Sequence, residues 1–254
     1  GADGIFISVF ISISSFCNAG FDILGRVMPG GSVIPYQSNP YVLAVISLLI
    51  ISGGLGFLVW QVLSAYHRTH HLRTHTKLVL WITGWLLLLG TAGILFMEYN
   101  NPLTLGPMNL FDKITNAAFQ SVSARTAGYN SIPLGDMTNF TKIFMSLLMF
   151  IGAAPGGTGG GIKVTTVSVL LVTVLCVARG QEDAVMFGHR IVKKTVYRAL
   201  TILLVGLGAV AVATVAMFYN TSSAVSEMDS MFEACSAFAT VGLSVGVTAT
   251  MQAA

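Results

Sequence analysis

Charge is what this sequence has least of. Only 9% of its 254 residues are Asp, Glu, Lys or Arg, where a soluble domain carries about 25%. An ordinary aqueous surface is thereby excluded. Cysteine is equally sparse. Cys17, Cys176 and Cys235 form no CxxC pair and no zinc spacing, and all three sit in apolar context. A disulfide framework and a zinc module are excluded, and the thiols read as small apolar packers. No Gly-Lys-Ser/Thr step follows the glycine run at 156–161, because Ile162 separates Gly161 from Lys163. The run is therefore not a phosphate loop. The net charge of +3 is small and clustered, which argues for membrane topology and against nucleic acid as a partner. No basic segment or cleavage site precedes the first apolar run, and residue 1 is Gly rather than Met. The chain is expected to be cut at its N-terminus.

What is present is apolar. Hydrophobic residues make up 54% of the chain, and the mean hydropathy is +0.77. Stretches 4–21, 41–66, 78–97, 143–162 and 199–220 contain no charge. A bilayer-spanning helix needs roughly 20 mainly apolar residues, so several of these can cross. Eight of the thirteen Lys and Arg fall in two loops. The first holds Arg68, Arg73 and Lys77; the second holds Arg179, Arg190, Lys193, Lys194 and Arg198. The positive-inside rule places both loops in the cytoplasm. Asp3, Asp22, Glu98, Asp112, Asp136, Glu227, Asp229 and Glu233 then lie on the outer side, where their field would concentrate cations.

If both basic loops share a face, the chain crosses back once, net, between 78–97 and Arg179. Residues 140–178 are interrupted by charge only at Lys142 and Lys163. As one helix they would run about 58 Å, against a hydrocarbon core of about 30 Å. The consistent solution is one crossing broken in the middle. The break is written as Gly152-Ala153-Ala154-Pro155-Gly156-Gly157-Thr158-Gly159-Gly160-Gly161. Pro removes a donor and Gly disfavours helix. Non-helical backbone at membrane depth is tolerated only where it is buried in protein or lines a watery cavity.

The chain also repeats itself. Ser14-Ser15-Phe16-Cys17-Asn18-Ala19-Gly20-Phe21, Val122-Ser123-Ala124-Arg125-Thr126-Ala127-Gly128-Tyr129 and Ser236-Ala237-Phe238-Ala239-Thr240-Val241-Gly242-Leu243 align on their glycines. The glycines are 108 and 114 residues apart, which marks an internal repeat of about 110 residues. Each glycine ends a short, half-polar helical stretch, of which 111–124 is the plainest case and a poor spanning helix. Residues 111–124, with Asp112, Lys113, Asn116 and Gln120, predict a re-entrant pore helix followed by an extended glycine turn. Such a turn can direct successive carbonyls at one axis, and carbonyl rings replace the hydration shell of an alkali cation. Close helix packing through small residues is the plainer reading. It does not explain why every turn follows a half-polar helix.

With these residues in hand, the chain resembles the potassium-uptake superfamily of pore subunits (TrkH, KtrB and HKT), KtrB above all. The resemblance is carried by Phe16-Cys17-Asn18-Ala19-Gly20-Phe21, Gly53-Gly54-Leu55-Gly56-Phe57, His75-Thr76-Lys77-Leu78, Arg125-Thr126-Ala127-Gly128-Tyr129, the 152–163 break and Ala239-Thr240-Val241-Gly242-Leu243. It implies an all-α integral membrane protein of the bacterial cell membrane, with tandem helix–pore-loop–helix repeats around a pseudo-fourfold cation pore. Residues 1–66 would be the end of repeat two: pore helix, filter turn and crossing helix. Residues 67–77 and 179–198 would be cytoplasmic loops, 78–178 repeat three, and 199–254 an incomplete repeat four. The chain would then be a fragment lacking repeat one and the last helix.

Carried over by position, the selectivity filter would comprise Asn18, Ala19, Gly20, Thr126, Ala127, Gly128, Thr240, Val241 and Gly242. The gate would comprise Gly152, Pro155, Gly156, Gly157, Thr158, Gly159, Gly160, Gly161 and Lys163. Lys163 is read either as a cation opposing potassium in the closed gate or as a lysine snorkelling to cytoplasmic water. Potassium would be the permeating ion, with sodium left open because a serine in the absent first filter goes with sodium in plant relatives. The chain would bind no other cofactor. Implied partners are a second copy of the chain, the lipid bilayer and a cytoplasmic nucleotide-binding ring (KtrA- or TrkA-like) docking on the basic loops. No catalytic residue is implied. Two alternatives stand beside this reading: a membrane metalloenzyme built on His67, His70, His71 and His75, and a non-conducting fragment. Arg125 is read as tying the end of the pore helix to carbonyls or an outer acid.

Overall fold

The structure, a computed structural model, describes residues 2–24, 31–181, 183–186, 189–221 and 225–248. Its elements in order are α1 (Ala2–Phe16), a 3-10 turn (Ile34–Tyr36), α2 (Pro40–Gly54), α3 (Phe57–Thr69), α4 (Thr74–Glu98), α5 (Leu110–Ser123), α6 (Asn139–Phe150), α7 (Val164–Ala178), a two-stranded hairpin β1–β2, α8 (Lys193–Tyr219) and α9 (Glu227–Phe238).

Polar side chains placed just before the apolar runs decide where the helices start. Asn39 accepts from the Val42 amide at 3.3 Å, with Pro40 in the first turn of α2. Asn109 accepts from Asp112 at 2.8 Å, Thr138 from Thr141 at 3.3 Å and Ser226 from Met228 at 3.0 Å. Each cap satisfies an amide that the first turn leaves without a partner.

Length sorts the helices. α4 and α8, with 25 and 27 residues, reach about 37 and 40 Å at 1.5 Å per residue. Both are long and apolar enough to cross a bilayer. On α8 only Ala199, Gly206 and Val210 are buried, so most of this helix presents apolar side chains outward, as a lipid-facing span does. The 14 residues of α5 cover about 21 Å, too short to cross. Its last five residues, Phe119 to Ser123, are nonetheless buried, including Gln120, Ser121 and Ser123. The packing makes the reason plain: α5 lies between α2 and α4, and α9 lies in the same way between α6 and α8, while α1 packs on α2. Two apolar clusters fill these interfaces. Leu43, Ile46, Ile50, Phe119 and Tyr129 form one; Ile94, Met145, Met149, Phe232 and Leu243 belong to the other.

Two features depart from the sequence reading. The uncharged run at 41–66, expected as a single crossing helix, is broken: α2 and the following helix meet at 97°. Gly56 sits at φ +82°, and a Cβ there would lie 2.8 Å from both the Gly157 nitrogen and the Pro155 oxygen. Close backbone approach, rather than loss of apolarity, ends α2. The second basic loop also carries a small antiparallel hairpin, Val185–Met186 paired with His189–Arg190.

Candidate functional site

The three glycine turns begin as helix C-caps. At the end of α1 the Asn18 amide donates to Ser15 at 3.1 Å and Ala19 to Ser14 at 2.9 Å. At the end of α9 the Thr240 amide donates to Ala237 at 3.1 Å and Val241 to Ser236 at 2.8 Å. These paired bonds are the Schellman closure, which requires a left-handed residue at its centre. At the end of α5 an Arg125-to-Val122 bond of 3.1 Å and an Ala127-to-Ser123 bond of 3.0 Å replace them. The left-handed residue is usually Gly; here it is Asn18 (φ +51°), Thr126 (φ +76°) and Thr240 (φ +55°). A β-branched residue in this region is a real outlier and costs of order 1–3 kcal/mol. Two positions on, Gly20, Gly128 and Gly242 are again left-handed, at +70°, +83° and +86°. The same alternation thus recurs three times.

The side chains explain why glycine does not occupy the cap. The Asn18 amide meets the Thr126 hydroxyl at 3.2 Å. With its oxygen turned to Thr126, its nitrogen donates to Ile50 and Ser15 at 3.2 and 3.0 Å. The Thr240 hydroxyl accepts from the Gly160 amide at 3.0 Å. Turns one and two are further tied by the Tyr129 hydroxyl, which lies 2.7 Å from Ser14 Oγ and donates to the Phe21 carbonyl at 3.0 Å.

The glycines themselves converge. A Cβ on Gly20 would lie 2.6 Å from the Ala127 oxygen and 3.1 Å from Gly128 Cα. One on Gly128 would strike the Val241 oxygen and lie 3.2 Å from Gly20 Cα. One on Gly242 would meet only Gly128 Cα, at 3.8 Å. The order around the site is therefore Gly20, Gly128, Gly242.

Beneath the turns lies the 152–163 segment, between α6 and α7. Its two ends are stitched together: Gly152 donates to Ile162 at 2.9 Å and Ile162 to Phe150 at 3.1 Å. One side is zipped by backbone to the α2–α3 break, through Ala154 to Gly54 (3.1 Å), Thr158 to Gly53 (3.3 Å) and Phe57 to Gly156 (3.2 Å). Its apex touches all three turns. The Thr158 hydroxyl reaches the Phe16 carbonyl at 3.4 Å. Gly159 abuts the Thr126 side chain so closely that a Cβ would overlap it, and Gly160 bonds Thr240. Lys163 Nζ donates to the Gly159 carbonyl at 2.6 Å. Pro155 and Gly156 face Gly56 and Phe57, and Gly161 lies against Gly152 and Ala239.

Three of the acids expected on the outer side have internal partners. Glu98 is fully buried. It accepts from Asn101 and Thr104 at 2.6 Å and from the Thr138 amide at 2.9 Å. Asp229 pairs with Lys142 at 2.7 Å. Glu233 accepts from Ser244 at 2.5 Å and from the Val245 amide at 3.0 Å, and so pins the strand leaving Gly242. Arg125 does not reach an acid; its Nη2 donates to the Gly152 carbonyl at 3.4 Å. Among the described residues no group of three or more His, Cys, Asp or Glu is placed to hold a metal. Of the four histidines in the first basic loop region, His67 lies in α3, His70 is its left-handed cap, His71 is in the connecting loop and His75 is in α4.

Apolar helices packed around three converging glycine turns define an all-α integral membrane protein. A family model described as TrkH, cation transport protein, matches residues 2–254, and the chain belongs to that family of membrane transporters. It is 40% identical over 97% of its length to the potassium/sodium uptake protein NtpJ of Enterococcus hirae. It is 39% identical over 98% to the Ktr system potassium uptake protein B of Vibrio alginolyticus, and 36% identical over 97% to that of Bacillus subtilis. The chain spans about half the length of these curated relatives, 54% of each. The crystal structure of the potassium transporter TrkH from Vibrio parahaemolyticus shares the fold, with a TM-score of 0.59 at 16% identity over 86% of this chain and 46% of that one.

Proposed function

We propose that this chain supplies three filter turns and the gate of a potassium-uptake pore, with potassium as the permeating ion. The observation that carries the reading is the threefold left-handed alternation at Asn18/Gly20, Thr126/Gly128 and Thr240/Gly242, converging in that order. Alternating backbone handedness lets successive carbonyls face one side, where they replace a cation's hydration shell. The C-terminal ends of α1, α5 and α9 each bring about half a negative charge toward the same place. A fourth turn between Gly242 and Gly20 would complete the ring that the family resemblance implies.

The 152–163 segment fits an occluding gate, because its apex fills the space under every turn and Lys163 adds a cation there. The basic loops, 67–77 and 179–198, are the docking surfaces proposed for a nucleotide-binding regulatory ring, and a second copy of the chain is the proposed membrane partner. The names of the relatives, parts of a Ktr system, support a multi-subunit assembly. The test is rubidium uptake by an uptake-deficient strain expressing a transporter that contains this chain. Saturable uptake that potassium competes away supports the reading; none, at normal membrane abundance, refutes it.

A further inference from the structure

Arg125 is a charge that the pore reading does not use. It directly precedes Thr126, the turn residue against which Gly159 packs. Its side chain is buried, at 8% exposure. No carboxylate pairs with it; the ion pairs among the described residues are Lys142–Asp229 and Arg190–Asp183. Its Nε has no hydrogen-bond partner among the described residues. The small cavity of about 20 Å³ beside it is lined mainly by apolar side chains, among them Ile50, Leu55, Leu87 and Val122, with Thr83 the one other polar side chain. Burying an uncompensated cation costs several kcal/mol, and an ionisable group at membrane depth is a functional candidate whose partner should be named. Here the partner is the Gly152 carbonyl, at 3.4 Å.

That carbonyl lies at the base of the 152–163 segment. The Gly152 amide is the bond that closes the base of the segment onto Ile162, so the two polar groups of one peptide residue face the gate's return strand and the filter's arginine. Normal N–H···O bonds are 2.7–3.2 Å, so a 3.4 Å contact is weak and readily released. An ordinary helix-end arginine would point to solvent or to its own last carbonyls. This one crosses to a segment 27 residues away.

Resting on the pore reading above, we propose that Arg125 is a positioning residue that latches the gate to the second filter turn. While its guanidinium holds Gly152, the apex stays seated against Thr126 and Thr240. Release of that contact frees the base of the segment without altering the filter carbonyls themselves. Latch loss therefore raises turnover and leaves the apparent affinity for potassium unchanged.

The experiment is initial-rate rubidium uptake, per transporter in the membrane, for Arg125→Gln, Arg125→Lys, Lys163→Gln and the double variant Arg125→Gln/Lys163→Gln. The latch predicts a several-fold rise in maximal rate for Arg125→Gln with KM within a factor of two, and a smaller rise for Arg125→Lys. Because both cations hold one segment, the double variant gains little over the better single one. An unchanged or lower rate in Arg125→Gln, a KM that moves with the rate, or gains that multiply in the double variant overturn it. If Arg125→Gln does not accumulate, Arg125→Lys is judged by the same criterion: a gain at constant KM supports the latch and no gain overturns it. A wild-type transporter without uptake refutes the pore reading instead, so the two failures are distinguishable.

Discussion

The turn at Gly128 and the segment at 152–163 are both glycine-rich breaks among apolar helices, yet they are held in opposite ways. The turn is fixed by side chains and caps. Thr126, Ala127 and Tyr129 are fully buried, Ser123 donates to the Tyr129 carbonyl, and Tyr129 reaches across to Ser14 and Phe21. The segment is held chiefly by backbone bonds to the α2–α3 break and by single contacts from Lys163 and Arg125. Dense packing resists displacement, whereas a handful of backbone bonds can exchange for water or for one another. The first arrangement suits the proposed filter, which must keep a geometry, and the second suits the proposed gate, which must change one.

Substitutions should act oppositely on the two breaks. The largest effect is expected at the fixed turn: Gly128→Ala sets a methyl against the Val241 carbonyl at a φ of +83°. A strain of about 3 kcal/mol corresponds to a roughly hundredfold loss of potassium-competed rubidium uptake. The 152–163 segment should respond in the other direction. Gly160→Ala places a Cβ 2.8 Å from the Ala239 oxygen and against the Thr240 hydroxyl, which unseats the apex. Basal uptake should rise about tenfold for a loss of roughly 1.4 kcal/mol of seating, read as uptake before any stimulus. Tyr129→Phe sharpens the contrast, since it removes the two hydroxyl contacts between turns one and two. About 1 kcal/mol is lost, and the potassium-to-sodium uptake ratio should fall a few-fold with no added leak. Smallest of all is the triple change His67→Ala/His71→Ala/His75→Ala. Uptake, with or without added zinc, should not change; zinc-dependent loss would revive a metal role for that loop.

How far the sequence carried this account depended on what each feature is made of. The short helix read at 111–124 is Leu110–Ser123, because a polar, periodic stretch next to apolar runs is visible in composition. The glycine run at 152–161 falls between Phe150 and Val164, because Pro and repeated Gly mark a break directly. The bend at Gly56 was hidden by apolarity, because no charge or fall in hydropathy marks Gly53-Gly54-Leu55-Gly56. Left-handed Thr126 and Thr240 had no signal at all, since threonine is not a residue one assigns to that conformation. Nor could spacing foretell that Glu98 and Glu233 face inward, or that Arg125 crosses to Gly152. Those contacts depend on how elements far apart in sequence pack.

The most direct test of the central claim, that the three turns form one filter, is the potassium-to-sodium uptake ratio in Gly20→Ala, Gly128→Ala and Gly242→Ala, each normalised to transporter in the membrane. The backbone spacing predicts a fall in all three. It should be steepest at Gly128, next at Gly20, where a Cβ lies 2.6 Å from the Ala127 oxygen, and mildest at Gly242, where the nearest atom is 3.8 Å away. A ratio that stays at the wild-type value in any of them, with only the amount of transporter changed, would contradict a shared filter.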